Sequence, residues 1–191
     1  MKVYIDITLL PSDDIGHHFL WEKVYQQIHL ALVENQNSNG TSSVGIGFPE
    51  FNAEKYRLGR KLRVFAPDNM TLDKLDIQCW LTRLTDYIHL TSVRDVPSTI
   101  ERYERFSRLQ IKNNPERLAR RAAKRSTISY AEALEQRSSL KPQQTRAPFI
   151  WLKSLSSDNR FRLFIHREEL ASDGGGFSTY GLSKGGALPI I

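Results

Sequence analysis

Apolar and polar residues alternate at the start of the chain and then recur with a helical period. Residues 3–9 carry apolar side chains at every second position, which predicts a half-buried β-strand. Between residues 17 and 36 the apolar positions instead form one stripe of an amphipathic helix. That stripe consists of Leu20, Val24, Ile28, Ala31 and Leu32. We therefore expect the fold to open with a strand followed by a helix.

The pattern continues through four further elements in the first half of the chain. Residues 44–48 and 61–66 are predicted as strands, residues 71–87 as an amphipathic helix and residues 88–93 as a strand. The helix is expected to point five side chains inward: Leu72, Leu75, Cys79, Trp80 and Leu84. The order β-α-β-β-α-β is that of the ferredoxin-like fold, which RNA-binding RRM domains also use. It predicts an α+β protein with a ferredoxin-like domain over residues 1–95.

The remainder, residues 96–191, is predicted to form a C-terminal α/β domain. Residues 108–112 alternate as a short strand that leads into a basic helix over 114–126. Residues 149–154 and 160–166 alternate in the same way and are predicted to pair as a β-hairpin. The C-terminal domain should therefore combine a hairpin with a helix rich in arginine.

Two local signals add detail to this domain. Ser129 with Glu132 three residues later forms a capping box, which predicts the start of a second short helix. The segment GGGFSTYGLSKGG, residues 174–186, supplies a glycine-rich end to the domain.

The basic helix has an unusual distribution of charge. Asn114 suits its N-cap and Pro115 its first position. Five cations share one face: Arg117, Arg120, Arg121, Lys124 and Arg125. The small apolar residues lie opposite: Leu118, Ala119, Ala122 and Ala123. Glu116 is the one acid, predicted to lie off the basic stripe, so repulsion between the cations goes unrelieved. A polyanion is therefore the natural partner, because guanidinium groups match phosphate oxygens, although a merely solvated face is the alternative.

Composition agrees with that interpretation. Lysine and arginine number 27 against 21 acidic residues, for a net charge of +6, and the excess is concentrated between residues 102 and 125.

The single cysteine, Cys79, excludes an internal disulfide and a cysteine-based zinc site, and we expect it to pack in the core beside Trp80. The N-terminus lacks the features of a signal peptide and no segment is long and apolar enough to span a membrane. We expect a cytoplasmic protein.

Candidate catalytic residues are few. The five histidines do not have the spacing of metal ligands, and no phosphate-binding loop motif occurs, so neither a metal nor a cofactor is predicted. RNA can be cut without either, because its own 2′-hydroxyl can attack the phosphodiester when a base accepts the proton. His29, at the flank of the first helix's apolar stripe, could be that base or an ordinary half-buried residue. Ser154 could serve a site or only form a turn, and Tyr180 could simply pack. The residues alone thus indicate an RNA-binding protein and leave cleavage open.

Several segments together resemble a known family. They are SRLQIK followed by NNPERLARRAAKR, His29 in QIHLALVE, the pair GIGFP and LGRKLRVFA, RFRLFI, and GGFSTYGLSKGG. In this order and spacing they resemble the type I-F (Csy-type) CRISPR-associated endoribonuclease that processes precursor CRISPR RNA. The resemblance implies a ferredoxin-like domain joined to a domain whose arginine-rich helix enters the major groove of a repeat stem-loop. It also implies cleavage at the base of that stem.

The resemblance further implies a catalytic role for three residues. His29 would act as the general base or proton-transfer group. Ser154 would position the attacking 2′-hydroxyl, and Tyr180 would help to shape the same pocket. The products would be a 5′-hydroxyl and a 2′,3′-cyclic phosphate.

Other residues are implied to bind the RNA. Arg108 and Gln110 would read base edges low in the stem, and Phe161 would stack on the terminal base pair. Stem phosphates would be held by Arg117, Arg120, Arg121, Lys124 and Arg125. The chain departs from the family pattern at Ala119, which interrupts the basic run, and at Ser126, where a histidine can occur. Both departures bear on affinity.

Family behaviour implies a monomer when free. It would need no metal, act once, keep its product and join the other subunits of the type I-F interference complex. One alternative is a non-catalytic RNA-binding subunit of the same ancestry, with a structural His29. Another is a basic DNA-binding domain, for which duplex DNA would compete equally with the RNA hairpin.

Overall fold

The computed structural model describes residues 1–111, 115–126, 128–138, 145–154, 157–172 and 174–191. These ranges contain both helices and antiparallel sheets, so the predicted α+β class is confirmed. The chain forms two compact units, one made of Met1–Leu109 with Ala147–Ile191 and the other of Gln110–Arg146. This division differs from the predicted boundary at residue 95, which stays a prediction. None of the described helices is long and apolar enough to cross a membrane.

The first sheet of the larger unit follows the predicted order of elements. Its main strands are β1 (Val3–Leu9), β2 (Gly45–Gly47), β3 (Lys61–Ala66) and β4 (Ile88–Leu90), arranged β2-β3-β1-β4 with antiparallel neighbours. A short strand, β5 (Arg94–Asp95), pairs with the start of β1. The alternation that predicted β1 arises because Val3, Ile5, Ile7 and Leu9 lie on the face that is buried in the core, whereas β3 is buried along almost its whole length.

Helix α1 (His17–Glu34) joins β1 to β2 and buries its apolar stripe. Val24, Ile28 and Leu32 are fully buried in the same hydrophobic core as Ile7 and Val64. Each such side chain stabilises the fold by roughly 1.5–3 kcal/mol. This packing fixes the rotation of α1, and so decides which of its polar residues lie at the flank of the stripe.

The predicted helix over 71–87 is broken into three pieces, so that prediction is wrong in detail. They are α2 (Asn69–Leu75), α3 (Ile77–Trp80) and a 3₁₀ helix over Thr82–Tyr87. The break is at Asp76, which has a φ of 45° and whose carboxylate accepts a hydrogen bond from the backbone N–H of Cys79. Aspartate tolerates this left-handed conformation because its short side chain bonds locally.

The break at Asp76 changes which of the following side chains point into the core. Cys79 is exposed to solvent, which overturns the prediction that it packs in the core. Leu72 and Leu75 are buried as expected, whereas Trp80 and Leu84 are only partly buried against the core. Asp76 changes the direction of the chain, so the helical period of the residues before it does not predict which residues after it face the core.

The second sheet of the larger unit has the order β11-β6-β8-β7. Its strands are β6 (Tyr103–Leu109), β7 (Phe149–Lys153), β8 (Arg160–Leu170) and β11 (Leu188–Pro189). Strands β7 and β8 form the predicted antiparallel hairpin. Two further short strands, β9 (Gly176–Phe177) and β10 (Ser183–Lys184), pair with each other in the glycine-rich segment.

Strand β6 does not lie where it was predicted. It ends at Leu109 and begins five residues before the predicted range 108–112. Its period was obscured because Glu104, an acidic residue, points inward and is buried. Arg167 on β8 compensates that charge, with its Nε 2.5 Å from a Glu104 carboxylate oxygen. Burial nevertheless raises the pKa of the Glu104 carboxyl.

The smaller unit contains two helices, α4 (Pro115–Arg125) and α5 (Tyr130–Ser138), which pack against each other. The capping box of α5 is confirmed: the Ser129 N–H donates to the Glu132 carboxylate, and the Glu132 N–H donates to the Ser129 hydroxyl. Ala119, on the predicted small apolar side of α4, is fully buried, and so is Ala133 of α5. The predicted N-cap, Asn114, lies outside the described residues.

The exposed side of α4 carries its cations. Arg120, Arg121, Lys124 and Arg125 are all exposed, whereas the side chain of Arg117 lies outside the described part of the chain. Glu116 is 3.5 Å from Arg120, both being largely exposed. Glu116 therefore contacts the edge of the basic stripe at Arg120, and the expectation that repulsion among the cations goes unrelieved is wrong at that position.

Candidate active site

His29 lies where α1 meets the glycine-rich segment. Its Nδ1 is 2.8 Å from the backbone oxygen of Thr179, and its ring stacks on Tyr180 with centroids 4.1 Å apart and planes 5° from parallel. Both partners lie about 150 positions further along the chain. The fold thus fixes the position and the plane of this imidazole.

The hydrogen bond also fixes which nitrogen of His29 can act as a base. A backbone oxygen only accepts hydrogen bonds, so Nδ1 must carry the proton at this contact. In the neutral ring, Nε2 is then left with its lone pair. Burial lowers the pKa of His29, and the hydrogen bond to Thr179 opposes that shift more weakly. At neutral pH, His29 is therefore a neutral imidazole whose Nε2 is able to accept a proton.

The glycine-rich segment presents Tyr180 through a tight turn. The Gly181 N–H donates to the Ser178 oxygen at 2.7 Å, and the Gly181 oxygen accepts from the Ile46 N–H at 2.8 Å. Gly181 has a φ of 70°, and a Cβ there would lie 2.4 Å from Cγ1 of Ile46. Only glycine meets both requirements without strain. The turn is thereby held against β2 with the Tyr180 ring directed at α1.

Tyr25 and Thr179 were not predicted as part of this site. The Tyr25 hydroxyl donates to the backbone oxygen of Tyr180 at 2.8 Å, and its ring is fully buried. Burial raises the pKa of Tyr25, which keeps the hydroxyl protonated and able to donate. The spacing of four residues between Tyr25 and His29 was the available signal, because it places both on one helix face. Thr179 acts through its backbone, which no side-chain motif reveals.

Arg108 and Phe161 belong to the same cluster of rings and cations. The Arg108 guanidinium lies 5.3 Å from the centre of the Phe161 ring and 6.0 Å from that of Tyr180. Both distances suit a cation–π contact. Four predicted site residues, His29, Tyr180, Arg108 and Phe161, are thus linked in one continuous series of contacts. The Arg108 guanidinium thus contacts the ring on which His29 stacks, and a positive charge in this cluster suits a phosphate-bearing ligand.

Ser154 follows directly after β7, at the base of the hairpin loop. Its N–H donates to the Asn159 oxygen at 2.9 Å, and its hydroxyl accepts from the Ser157 hydroxyl at 2.9 Å. The strand before it packs along α1. Ser156, in the same loop, lies outside the described residues.

The remaining predicted RNA-binding residues belong to the smaller unit. Gln110 is exposed and follows β6 by one residue. The exposed cations of α4 make a surface suited to phosphates, as described above. Nowhere in the described ranges do three or more histidine, cysteine or acidic side chains lie close enough together to hold a metal ion.

Comparison with known proteins bears on this arrangement. Residues 4–191 match the family model described as "CRISPR-associated protein (Cas_Csy4)". A CRISPR-associated endonuclease Cas6/Csy4 of Pseudomonas aeruginosa is 35% identical over 191 residues, which cover 99% of each chain. A relative of the same name from Escherichia coli is 32% identical, again over 191 residues and 99% of each chain.

Solved structures include an RAMP protein described as binding different RNA substrates. It and this chain cover each other completely, at 12% identity and a TM-score of 0.38. That similarity is too distant to support an argument.

Proposed function

This chain belongs to the Cas_Csy4 family of CRISPR-associated proteins, and we propose that it is an endoribonuclease that cuts precursor CRISPR RNA at the base of the repeat stem-loop. The expected resemblance to this family is thereby confirmed. The endonuclease names of the relatives support the activity. The cleavage site on the RNA and the chemistry are our proposal.

One observation carries the proposal. His29 presents a neutral imidazole whose Nδ1 donates to Thr179 and whose Nε2 can accept a proton, and its ring stacks on Tyr180, which the Arg108 guanidinium also contacts. In the proposed step, the 2′-oxygen attacks the adjacent phosphorus while its proton passes to Nε2. The bond from phosphorus to the 5′-oxygen breaks, and that oxygen takes up a proton. The products are a 2′,3′-cyclic phosphate and a 5′-hydroxyl, and no metal is required.

The other predicted residues complete the proposed site. Ser154 positions the 2′-hydroxyl, and Tyr180 holds the plane of His29. Arg108 and Gln110 read base edges low in the stem, while Phe161 stacks on its terminal base pair. The phosphates of the stem are held by Arg117, Arg120, Arg121, Lys124 and Arg125. Guanidinium and ammonium groups on one helix face would follow the backbone of an A-form stem without reading its bases.

We also propose the architecture and setting that the resemblance implied. The strand order β2-β3-β1-β4 supports a ferredoxin-like domain over residues 1–95, with residues 96–191 as the RNA-binding domain. A free monomer would cut once in the cytoplasm, retain the mature RNA and join the other subunits of the type I-F interference complex.

The test is a cleavage assay in excess EDTA. An end-labelled RNA carrying the host's CRISPR repeat is incubated with wild-type protein and with His29→Ala, together with an RNA that has a 2′-deoxy nucleotide at the cut. We expect one cut by the wild type, lost with either change, while His29→Ala still binds the RNA. Tight binding without any cut would instead establish a non-catalytic subunit that holds the stem-loop. Equal competition by duplex DNA would overturn both.

A further inference from the structure

Three side chains of α1 contact the two segments that carry the proposed site. Glu22, Gln26 and His29 are spaced by four and three residues, so they lie along one side of the helix. The Glu22 carboxylate pairs with the Arg160 guanidinium at the start of β8. His29 bonds to the turn that carries Tyr180. Gln26 lies between them and contacts the end of β7.

Gln26 contacts the backbone immediately before Ser154. Its Oε1 accepts a hydrogen bond from the Lys153 N–H at 3.2 Å. Strand β7 is at the edge of its sheet, and successive backbone N–H groups of a strand point to opposite sides. The next N–H, that of Ser154, accordingly points across the hairpin to the Asn159 oxygen. The chain at Ser154 is thus held from both sides, by α1 and by the hairpin.

The nitrogen of the Gln26 amide indicates that this glutamine does more than stabilise the fold. Its Nε2 is buried and has no hydrogen-bond partner within the part of the chain that the structure describes. The amide cannot be reversed, because only its oxygen can accept from the Lys153 N–H. Burying an amide nitrogen without an acceptor costs stability, and an apolar side chain of the same size would avoid that cost. Compared with such an apolar side chain, glutamine provides one additional contact, the hydrogen bond to the Lys153 N–H.

We propose that Gln26 is a positioning residue, which holds Ser154 at a fixed place relative to His29 so that the 2′-hydroxyl and the base meet. The inference rests on the proposed function, because it needs a reaction in which both residues take part. Gln26 and His29 are one helical turn apart, so α1 itself sets the spacing. A small displacement of a reacting group can slow a reaction by about 100-fold.

The test compares four proteins by single-turnover cleavage of the repeat RNA and by RNA affinity. Gln26→Met keeps the size of the side chain and removes both polar atoms, whereas Gln26→Glu keeps an oxygen that can accept from Lys153. Gln27→Met is the matched control on the next helix position. We expect Gln26→Met to cut about 10- to 100-fold more slowly with unchanged affinity and a melting temperature no lower than that of the wild type. Gln26→Glu should recover most of the rate at a pH where His29 is neutral, and Gln27→Met should match the wild type.

A second comparison separates positioning from a general structural effect. If Gln26 acts through Ser154, Gln26→Met should cause no further loss of rate in a Ser154→Ala background. Independent, multiplying losses would overturn the inference, as would a wild-type rate for Gln26→Met or for Ser154→Ala. A wild-type protein that does not cut would sink the proposed function together with this inference. A wild type that cuts, alongside an equally fast Gln26→Met, would sink the inference alone.

Discussion

The site around His29 and the exposed side of α4 handle charge in opposite ways. His29 is half-buried, stacked and hydrogen-bonded, and its property as a base depends on burial and on one backbone oxygen. The cations of α4 are exposed, and the only acid beside them, among the described residues of that helix, is Glu116. The first region depends on geometry and should respond to pH, whereas the second depends on net charge and should respond to salt.

The largest expected effect comes from deleting the base. We expect His29→Ala to lower the single-turnover cleavage rate by about 10²–10⁴-fold while RNA affinity stays the same, because proton transfer is lost but the cations remain. Rate and affinity would be measured on the same RNA. A comparable loss of affinity would show that the two regions are not separable in function.

Removing charge from α4 should weaken RNA binding and leave the cleavage rate of bound RNA unchanged. With about four phosphate contacts, the logarithm of RNA affinity should fall with the logarithm of salt concentration with a slope of about −3 to −4. Arg121→Ala should make that slope shallower by about 1 and leave the cleavage rate of bound RNA intact. Binding measured across a salt series tests this, and a slope near zero would refute phosphate binding by this helix.

The pH dependence sharpens the comparison for His29. Only the neutral imidazole accepts a proton, so the rate should fall as pH drops below its pKa. Since burial lowers that pKa, the fall should begin at a more acidic pH than it would for a solvent-exposed histidine. An NMR titration of the free protein gives the pKa of His29. Tyr180→Leu serves as the comparison, because losing the ring stack should expose the imidazole to solvent and raise its pKa. A midpoint at or above that of a histidine in an unstructured peptide would contradict the burial argument.

A smaller effect is expected from the turn that carries Tyr180. Gly181→Ala places a methyl group against Ile46 at a positive φ, which should destabilise the protein by roughly 1–3 kcal/mol. The rate should fall as well, because Tyr180 and Thr179 move together. Chemical denaturation measures the stability, with Gly176→Ala as a control at a position where an added Cβ meets nothing within 4 Å. Equal stability of both variants would show that the turn accommodates the added methyl group at position 181 with no loss of folding free energy.

The smallest effect is expected at Glu116. Its exposed pair with Arg120 contributes at most a few tenths of a kcal/mol, so Glu116→Gln should hardly change the melting temperature. Removing a negative charge from the basic surface should slightly strengthen RNA binding at low salt. A clear loss of affinity would mean that Glu116 orients Arg120 for the RNA.

Elements with one buried face could be predicted from the sequence. Helix α1 and strand β1 follow their hydrophobic periods because the apolar stripe of α1 and the side chains of Val3, Ile5, Ile7 and Leu9 lie in the core. Asp6 on β1 and Arg63 on β3 are also buried, but they pair with each other. Strand β6 was misplaced because Glu104 is buried and paired with Arg167, which lies diagonally across on β8 and 63 positions further along the chain. The helix around Asp76 was predicted as continuous because a left-handed aspartate leaves no mark on periodicity.

The site could be predicted only in part from local pattern. His29 at the flank of a helix is ambiguous by itself, and the family resemblance was needed to favour a catalytic role. Its tautomer and ring plane are fixed in the structure by Thr179 and Tyr180, which no local window contains. Gln26 and Tyr25 were missed because their roles depend on backbone atoms of distant segments.

The distance in sequence between His29 and its partners also has a consequence in time. As a ribosome makes the chain, α1 emerges long before residues 179 and 180 exist. Until they arrive, His29 is an ordinary solvated histidine without a fixed tautomer. The proposed nuclease would therefore be silent as a nascent chain until residues 179 and 180 have been made. Its own messenger RNA and the surrounding transcripts would not meet a competent base before then.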